Sequence, residues 1–403
     1  MPRALVIGGS VGGLMAGNLL RKIGWDVTIF ERAAGDLATR GAGLGVSQEL
    51  VDVLRRCGAR FDTTGGVANR GYVWMEQDGS IAFEHPRENI SSAWQRVYMP
   101  LREVTPQAIY RQGMNLVRVE QDDASVSAVF EDGSRESGDL LVAADGVYST
   151  VRAQFLPDVA PQYANYVAWR GIAEERDIPE WASEAIAGHV VNCFPEGEQL
   201  LTMAVPGADE DIRPGYRRFY VIWYRRVAPD RLHDMFTDAS GKHHGLTIPP
   251  PLIRKEFVDD VRAAAKSSLP PAAASVVAAA PQLLLQAIGD MDSPQLVFGR
   301  VAIMGDAAFI ARPHSAAGVS KAALDALCLA DELAASGNTV EAALTAYNEK
   351  RLAFGKSLVG HARYLGSYLA GVDASRDPRR IIRDYGAPHL LHDVSVSAEN
   401  ESH

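Results

Sequence analysis

A cluster of small residues and one acid near the start of the chain offer the first chemistry. Gly8, Gly9, Ser10, Val11, Gly12 and Gly13 follow the apolar run Ala4 to Ile7. Glu31 closes a second apolar run, Val27 to Phe30, with seventeen residues between Gly13 and Glu31. A glycine-rich turn between a buried strand and a helix can bring its backbone against a pyrophosphate and aim free N–H groups at it. Gly8 permits the tight turn. Ser10 stands where a second glycine is usual and adds a hydroxyl donor. Gly13 lets helix and strand pack closely, and Glu31 is placed to accept from ribose hydroxyls. The pattern reads as a dinucleotide site; a purely structural glycine turn is the alternative.

Two later acid–glycine pairs extend the site. Asp145-Gly146 ends the apolar run DLLVAA (139–144), with Arg152 seven residues on, and Gly305-Asp306 ends RVAIM (300–304). Ligands of open parallel sheets collect at the carboxyl ends of the strands. Three strand ends, at Gly8, Asp145 and Asp306, can therefore surround one long ligand, and FAD is long enough to need three. Pro313-His314-Ser315-Ala316-Ala317-Gly318 then leads into a helix starting near Val319. Free N–H groups there can face a flavin pyrimidine ring and favour the negative charge of its reduced form by about 0.3–2 kcal/mol.

His314 is the titratable residue best placed to bond a substrate oxygen or relay a proton; a cavity-wall histidine is the plainer reading. Arg170 can pair with an anionic ring or a carboxylate, or serve as a structural ion-pair partner. Trp74, Trp223 and Tyr224 can line an apolar slot for a flat ring, or pack a core. His243-His244 has no ligand cluster near it in sequence, so no metal is expected. A second G-x-G-x-x-G is absent, so NAD(P)H is expected to dock without a domain of its own.

Elements must hold these groups in place. The fold class expected is α/β: a Rossmann-like three-layer domain from residues 1–70, 101–165 and 298–345, a mixed β-sheet substrate domain from 71–100 and 166–297, and a C-terminal helical region, 346–403, with a frayed tail. Residues 46–57 read as an amphipathic helix, and 70–85 as a hairpin turning at Asp78-Gly79. Residues 103–112 read as helix; 115–121 and 125–131 read as paired strands. The section 165–297 is aromatic-rich, with a helix broken at Pro270-Pro271. Helices are expected over 317–335 and 340–371.

The bulk properties bound the function. With 403 residues, 47% of them hydrophobic, the chain can bury a sizeable core. A net charge of −10 gives no general basic footprint for nucleic acid. Cys57, Cys193 and Cys328 lack metal or redox spacing and read as free thiols in a reducing cytosol. The first strand begins almost at Met1 and no apolar run is long enough for a bilayer, so a cytoplasmic protein with no membrane contact is expected.

Taken together, ALVIGGSVGG…FER, DLLVAADGVYSTVR and RVAIMGDAAFIARPHSAAG resemble, in order and spacing, the three motifs of the single-component, class A FAD-dependent aromatic hydroxylases. The resemblance covers about residues 1–350. Within that group YVAWRGI (166–172) and ARPHSAAG (311–318) are most similar to members of the 2,6-dihydroxypyridine 3-hydroxylase type. It implies that Glu31 binds the adenosine ribose, that Arg32 lies beside the adenine, and that Val117 contacts it through the backbone. It further implies that Arg40 and Arg102 touch FAD, that Asp145 meets both FAD and NAD(P)H, and that Asp306 accepts from the ribityl hydroxyls. Ala317, Gly318 and Val319 then face the flavin, and Pro313 and His314 the reaction. Phe309 stands where the family often has histidine. The implied activity is NAD(P)H- and O2-dependent hydroxylation of an electron-rich, hydroxypyridine- or phenol-like ring through a flavin C4a-hydroperoxide; a homodimer is the assembly considered. Rival readings are an FAD-dependent reductase or halogenase of the same fold, a flavin-binding regulatory protein without turnover, and, from the first motif alone, an NAD-dependent dehydrogenase.

Overall fold

Continuous apolar runs make strands buried on both faces, and these build the centre of the molecule. The computed structural model describes residues 1–35, 37, 43–337, 339–369 and 377–385. Its central sheet runs in the order Val297–Phe298, Val301–Ile303, Leu140–Ala143, Arg3–Ile7, Asp26–Glu31, Tyr110–Gln112. The pairings are parallel apart from the terminal hairpin. Helices Val11–Lys22 and Gly318–Ala335 pack together on one face. A three-stranded antiparallel sheet, Leu116–Gln121, Val126–Phe130 and Arg135–Gly138, covers the other, with the Phe30 and Phe130 rings 4.7 Å apart. Three layers therefore share one core, as expected of the α/β class.

The aromatic-rich section forms a second, ten-stranded sheet with Gln162–Glu174 and Arg218–Arg226 paired near its middle. It is mixed: His189–Cys193 runs parallel to Val67–Met75, whereas its other ladders are antiparallel. One face packs against helices Lys255–Ser268 and Pro271–Ala279, which break at Pro270 as expected.

The pieces interleave more finely than the expected boundaries. Strand Gly43–Gly45 is the edge of the large sheet, and helix Trp94–Val104 packs Val97, Tyr98 and Leu101 into the first core. The helix expected over 103–112 is corrected accordingly. Pro106 follows its end, and Tyr110–Gln112 instead extends the parallel sheet beside Asp26–Glu31. Helix Val340–Leu365 packs Leu344, Tyr347 and Val359 into the first core and reaches the second sheet through Arg363, which pairs with Asp290 and Asp292. The tail expected to fray, beyond residue 385, lies outside the described residues, as does Arg40. No described helix is long and apolar enough to cross a membrane.

Candidate active site

The first strand ends in a turn that only glycine can make. Gly8 has φ +104°, and a β-carbon there would lie 2.3 Å from the Ala144 carbonyl oxygen; one on Gly13 would lie 1.8 Å from the Gly8 oxygen. The first helical bond runs from Leu14 N–H to Ser10 O, which leaves the N–H groups of Val11, Gly12 and Gly13 outside the helix ladder. Ser10 caps the helix without a side-chain bond to it, so its hydroxyl is uncommitted among the described residues. Glu31 is buried. It accepts from Gly9 N–H at 2.7 Å and Ala33 N–H at 2.8 Å. It therefore braces the glycine turn, and a carboxylate's remaining lone pairs stay open to ribose hydroxyls.

Around these groups lies a cavity of about 210 Å³, lined among others by Ser10, Glu31, Arg32, Asn115, Leu116, Asp145 and Tyr148. Two of the expected contacts need comment here. Val117 turns its side chain outward, 49% exposed, while its neighbour Leu116 lines the cavity, which leaves the expected backbone contact of Val117 untouched. Arg102 does not reach the cavity. It stacks 4.2 Å over Tyr110 and donates to Thr105 O and Gln107 Oε1, while Tyr110 Oη donates to Gly9 O at 3.0 Å. Arg102 thus supports the turn through a tyrosine.

Asp145 follows the parallel strand Leu140–Ala143. Its Oδ2 accepts from Val151 N–H, and its Oδ1 is buried with no partner among the described residues. Burial raises its pKa, against hydrogen bonds from Ser149 and Val151 that lower it. Arg152, buried, donates to the carbonyls of Val147, Asp306 and Ala307 and so ties the second acid turn to the third. Gly305 N–H is held by Asp325 Oδ2 at 2.9 Å, and Asp325 pairs with the buried Arg351 at 2.6 Å.

A second cavity of about 370 Å³ shares Tyr148 with the first. It is lined by Asp306, Arg312, Pro313, Ala316, Ala317, Gly318 and Arg170. A third, of about 270 Å³, shares Arg170, Pro313, Ala316 and Gly318 with the second. It adds Val319, Asn89, Ser91, Tyr72, Tyr220, Tyr224 and Tyr385. The first two lie at the carboxyl ends of the parallel strands, and the third continues from the second onto the large sheet. The site fits FAD: an acid and an uncommitted hydroxyl at one end, an orphan carboxylate oxygen midway, and a helix N-terminus at the other.

Strand parity decides the ring-binding residues. Arg170 faces Ile222 across the ladder, which places Tyr220 and Tyr224 diagonally beside it, and Arg170 Nη1 donates to Tyr220 Oη at 2.9 Å. Arg170 Nε is buried without a partner among the described residues. Arg170 and Tyr224 both line the third cavity. Trp223 is corrected, because its side chain is on the opposite face, in the helix-covered core. Trp74 shares the face of Tyr72 but lies beyond the cavity, edge-on to Phe194 at 6.0 Å. Sequence reading missed Tyr72, Tyr220 and Tyr385. The period-2 spacing Tyr220-Ile222-Tyr224 was the available signal for Tyr220.

His314 is the largest correction. Pro313–Ser315 is a 3₁₀ turn, in which residues three apart share a side. Pro313 and Ala316 therefore face the cavities and His314 points away from both. It is 1% exposed, with Nε2 2.8 Å from Tyr166 Oη and its ring centroid 4.4 Å from that of Tyr224. Burial, with Arg312 and Arg170 nearby, pulls its pKa down to about 3, so it is neutral at pH 7. The expected near-neutral proton relay at His314 does not match this placement. Among the described residues no group of three or more His, Cys, Asp or Glu can hold a metal ion.

Known proteins agree with this geometry. Two family models match, one described as FAD binding domain-like over residues 163–290 and one as FAD binding domain over 258–362. The chain is 28% identical over 389 residues to 2,6-dihydroxypyridine 3-monooxygenase of Paenarthrobacter nicotinovorans, covering 91% of each chain. The structure of 2,6-dihydroxypyridine-3-hydroxylase from Arthrobacter nicotinovorans superposes with a TM-score of 0.88 at 26% identity, covering 96% of each chain. Over nearly its whole length the chain is similar to FAD-dependent aromatic hydroxylases. A shorter match, 27% identical over 222 residues (52% of this chain, 57% of the relative), is to 6-hydroxynicotinate 3-monooxygenase of Pseudomonas fluorescens. Klebsiella pneumoniae HpxO, complexed with FAD and uric acid, shares the hydroxylase fold at TM-score 0.76 and 23% identity, covering 98% of this chain and 96% of that one.

Proposed function

We propose that the chain hydroxylates a hydroxypyridine- or phenol-like ring, bound as its anion against Arg170, with NAD(P)H as reductant and O2 as oxidant. The observation that carries this reading is the unpartnered, buried Arg170 Nε at the junction of the second and third cavities. Relatives named for dihydroxypyridine and hydroxynicotinate support the substrate class.

Bound FAD supplies the redox and oxygen-transfer chemistry. Ser10, Glu31, Asp145 and Asp306 would hold it through its phosphate and hydroxyl groups. The N–H groups opening helix Gly318–Ala335 would favour negative charge on its ring end. Arg170 holds a ring oxygen in its ionised form, because a guanidinium keeps its charge when buried. Tyr220 Oη accepts from Arg170 and so turns its own hydrogen elsewhere, free to donate to a second ring oxygen. Tyr72, Tyr224 and Tyr385 give flat apolar walls, and Asn89 and Ser91 a neutral polar one. These walls hold the ring and exclude water, which strengthens the Arg170 contact.

The test is a screen of hydroxypyridines, phenols and aromatic acids for stimulated NAD(P)H oxidation with O2 uptake, the products identified by mass. A product heavier by one oxygen supports the reading. Oxidation without oxygen insertion supports a reductase, and no stimulated oxidation a non-catalytic flavoprotein.

A further inference from the structure

Helix Gly318–Ala335 carries a lysine where a helix core position calls for an apolar residue. Lys321 is 1% exposed. Its Nζ donates to Asp306 Oδ1 at 2.8 Å and to the Phe309 carbonyl. Asp306 is the only carboxylate paired with it among the described residues. The asymmetry is informative: Asp306 is half exposed at the cavity wall, whereas its partner is buried behind it. A buried ammonium without its counter-ion is costly, so Lys321 cannot release Asp306 cheaply. One carboxylate oxygen is therefore tethered inward, and the other is left to the cavity.

We infer that Lys321 is a positioning residue: it fixes the Asp306 carboxylate in the orientation that receives cofactor hydroxyls, so that its side-chain freedom is lost before FAD arrives. The inference rests on the reading of Asp306 as a cofactor ligand. Lys321 and Asp325 lie four residues apart on one helix face, and they grip the same turn at Asp306 and Gly305.

The experiment is a double-variant cycle on the full-length chain, Lys321→Met, Asp306→Asn and both together, read by FAD dissociation constant and by thermal unfolding without FAD. Lys321→Met should weaken FAD binding at least tenfold while leaving the melting temperature unchanged or raised, because an apolar side chain replaces a buried ion. Asp306→Asn should weaken FAD binding and lower the melting temperature, since it strands the ammonium. The double variant should bind FAD no more weakly than Asp306→Asn and regain the lost stability. Unchanged FAD affinity in Lys321→Met overturns the inference, as do losses that simply multiply in the double variant. Unchanged affinity in Asp306→Asn overturns the cofactor-ligand reading itself. Should Lys321→Met not fold, the double variant against Asp306→Asn decides: equal FAD affinity supports the tether, and weaker affinity overturns it.

Discussion

Arg170 and His314 show how far one side chain's role depends on which way it faces. Arg170 reaches both inner cavities with a buried, unpartnered Nε. Its replacement by Met should raise the dissociation constant for an anionic ring about 10- to 150-fold, the worth of a hydrogen bond to a charged group. FAD content should fall far less than ring affinity, and bound-flavin absorbance with substrate titration of the holoenzyme checks both. His314 makes a prediction about folding instead. Its pKa of about 3 in the folded chain lies below the ordinary 6.5. Between these values the unfolded chain binds a proton that the folded chain refuses, so stability is held above pH 6.5 and lost as pH falls. By pH 5 the loss is about 2 kcal/mol. Urea unfolding should show the stability of the parent falling by this amount, relative to His314→Gln, between pH 7 and pH 5. Both residues were legible as candidates from their types. Their directions were not, because the 3₁₀ turn that rotates His314 inward leaves no periodic trace in six residues.

At the scale of elements, the strand–turn–helix at the start of the chain was fully readable, since its geometry admits few residue types. Gly13→Ala would put a methyl 1.8 Å from the Gly8 oxygen. It should cost about 3 kcal/mol of stability and abolish FAD retention, as measured by denaturant unfolding and bound-flavin absorbance. The turn before helix Gly318–Ala335 holds a subtler case. Ala316 has φ 50°, a left-handed conformation that costs a non-glycine residue about 1 kcal/mol. Ala316→Gly should therefore raise stability by a few tenths to 1 kcal/mol, a gain visible in thermal unfolding. Sequence periodicity recovered the long helices and the hairpins, because each buries one continuous stripe. It failed at Tyr110–Gln112, where three residues join a sheet whose other strands are remote in sequence. It failed again at Trp223, because aromatic character was read without strand parity, and parity alone sends Trp223 and Tyr224 to opposite faces.

On the scale of the whole molecule, the proposed cofactor site draws on segments from Gly8 to Val319, so filling it ties distant parts of the chain together. Saturating FAD should stabilise the fold by about 2.7 kcal/mol at one hundred times its dissociation constant. Glu31→Ala should reduce that increment in a thermal-shift titration. It should also lower the melting temperature without FAD, because Gly9 and Ala33 lose their acceptor. The three cysteines should play no part: burial raises Cys57 and Cys328 to about 12 and Cys193 higher still. Finally, the second and third cavities have four residues in common, Arg170, Pro313, Ala316 and Gly318. Two ligands that lean on the same wall obey reciprocity: whatever factor the flavin lends to the ring's affinity, the ring returns to the flavin's. A ring analogue should slow the escape of flavin from the protein by stabilising a partition it shares. A ligand search on flavin-free protein would then understate every true substrate by that same factor.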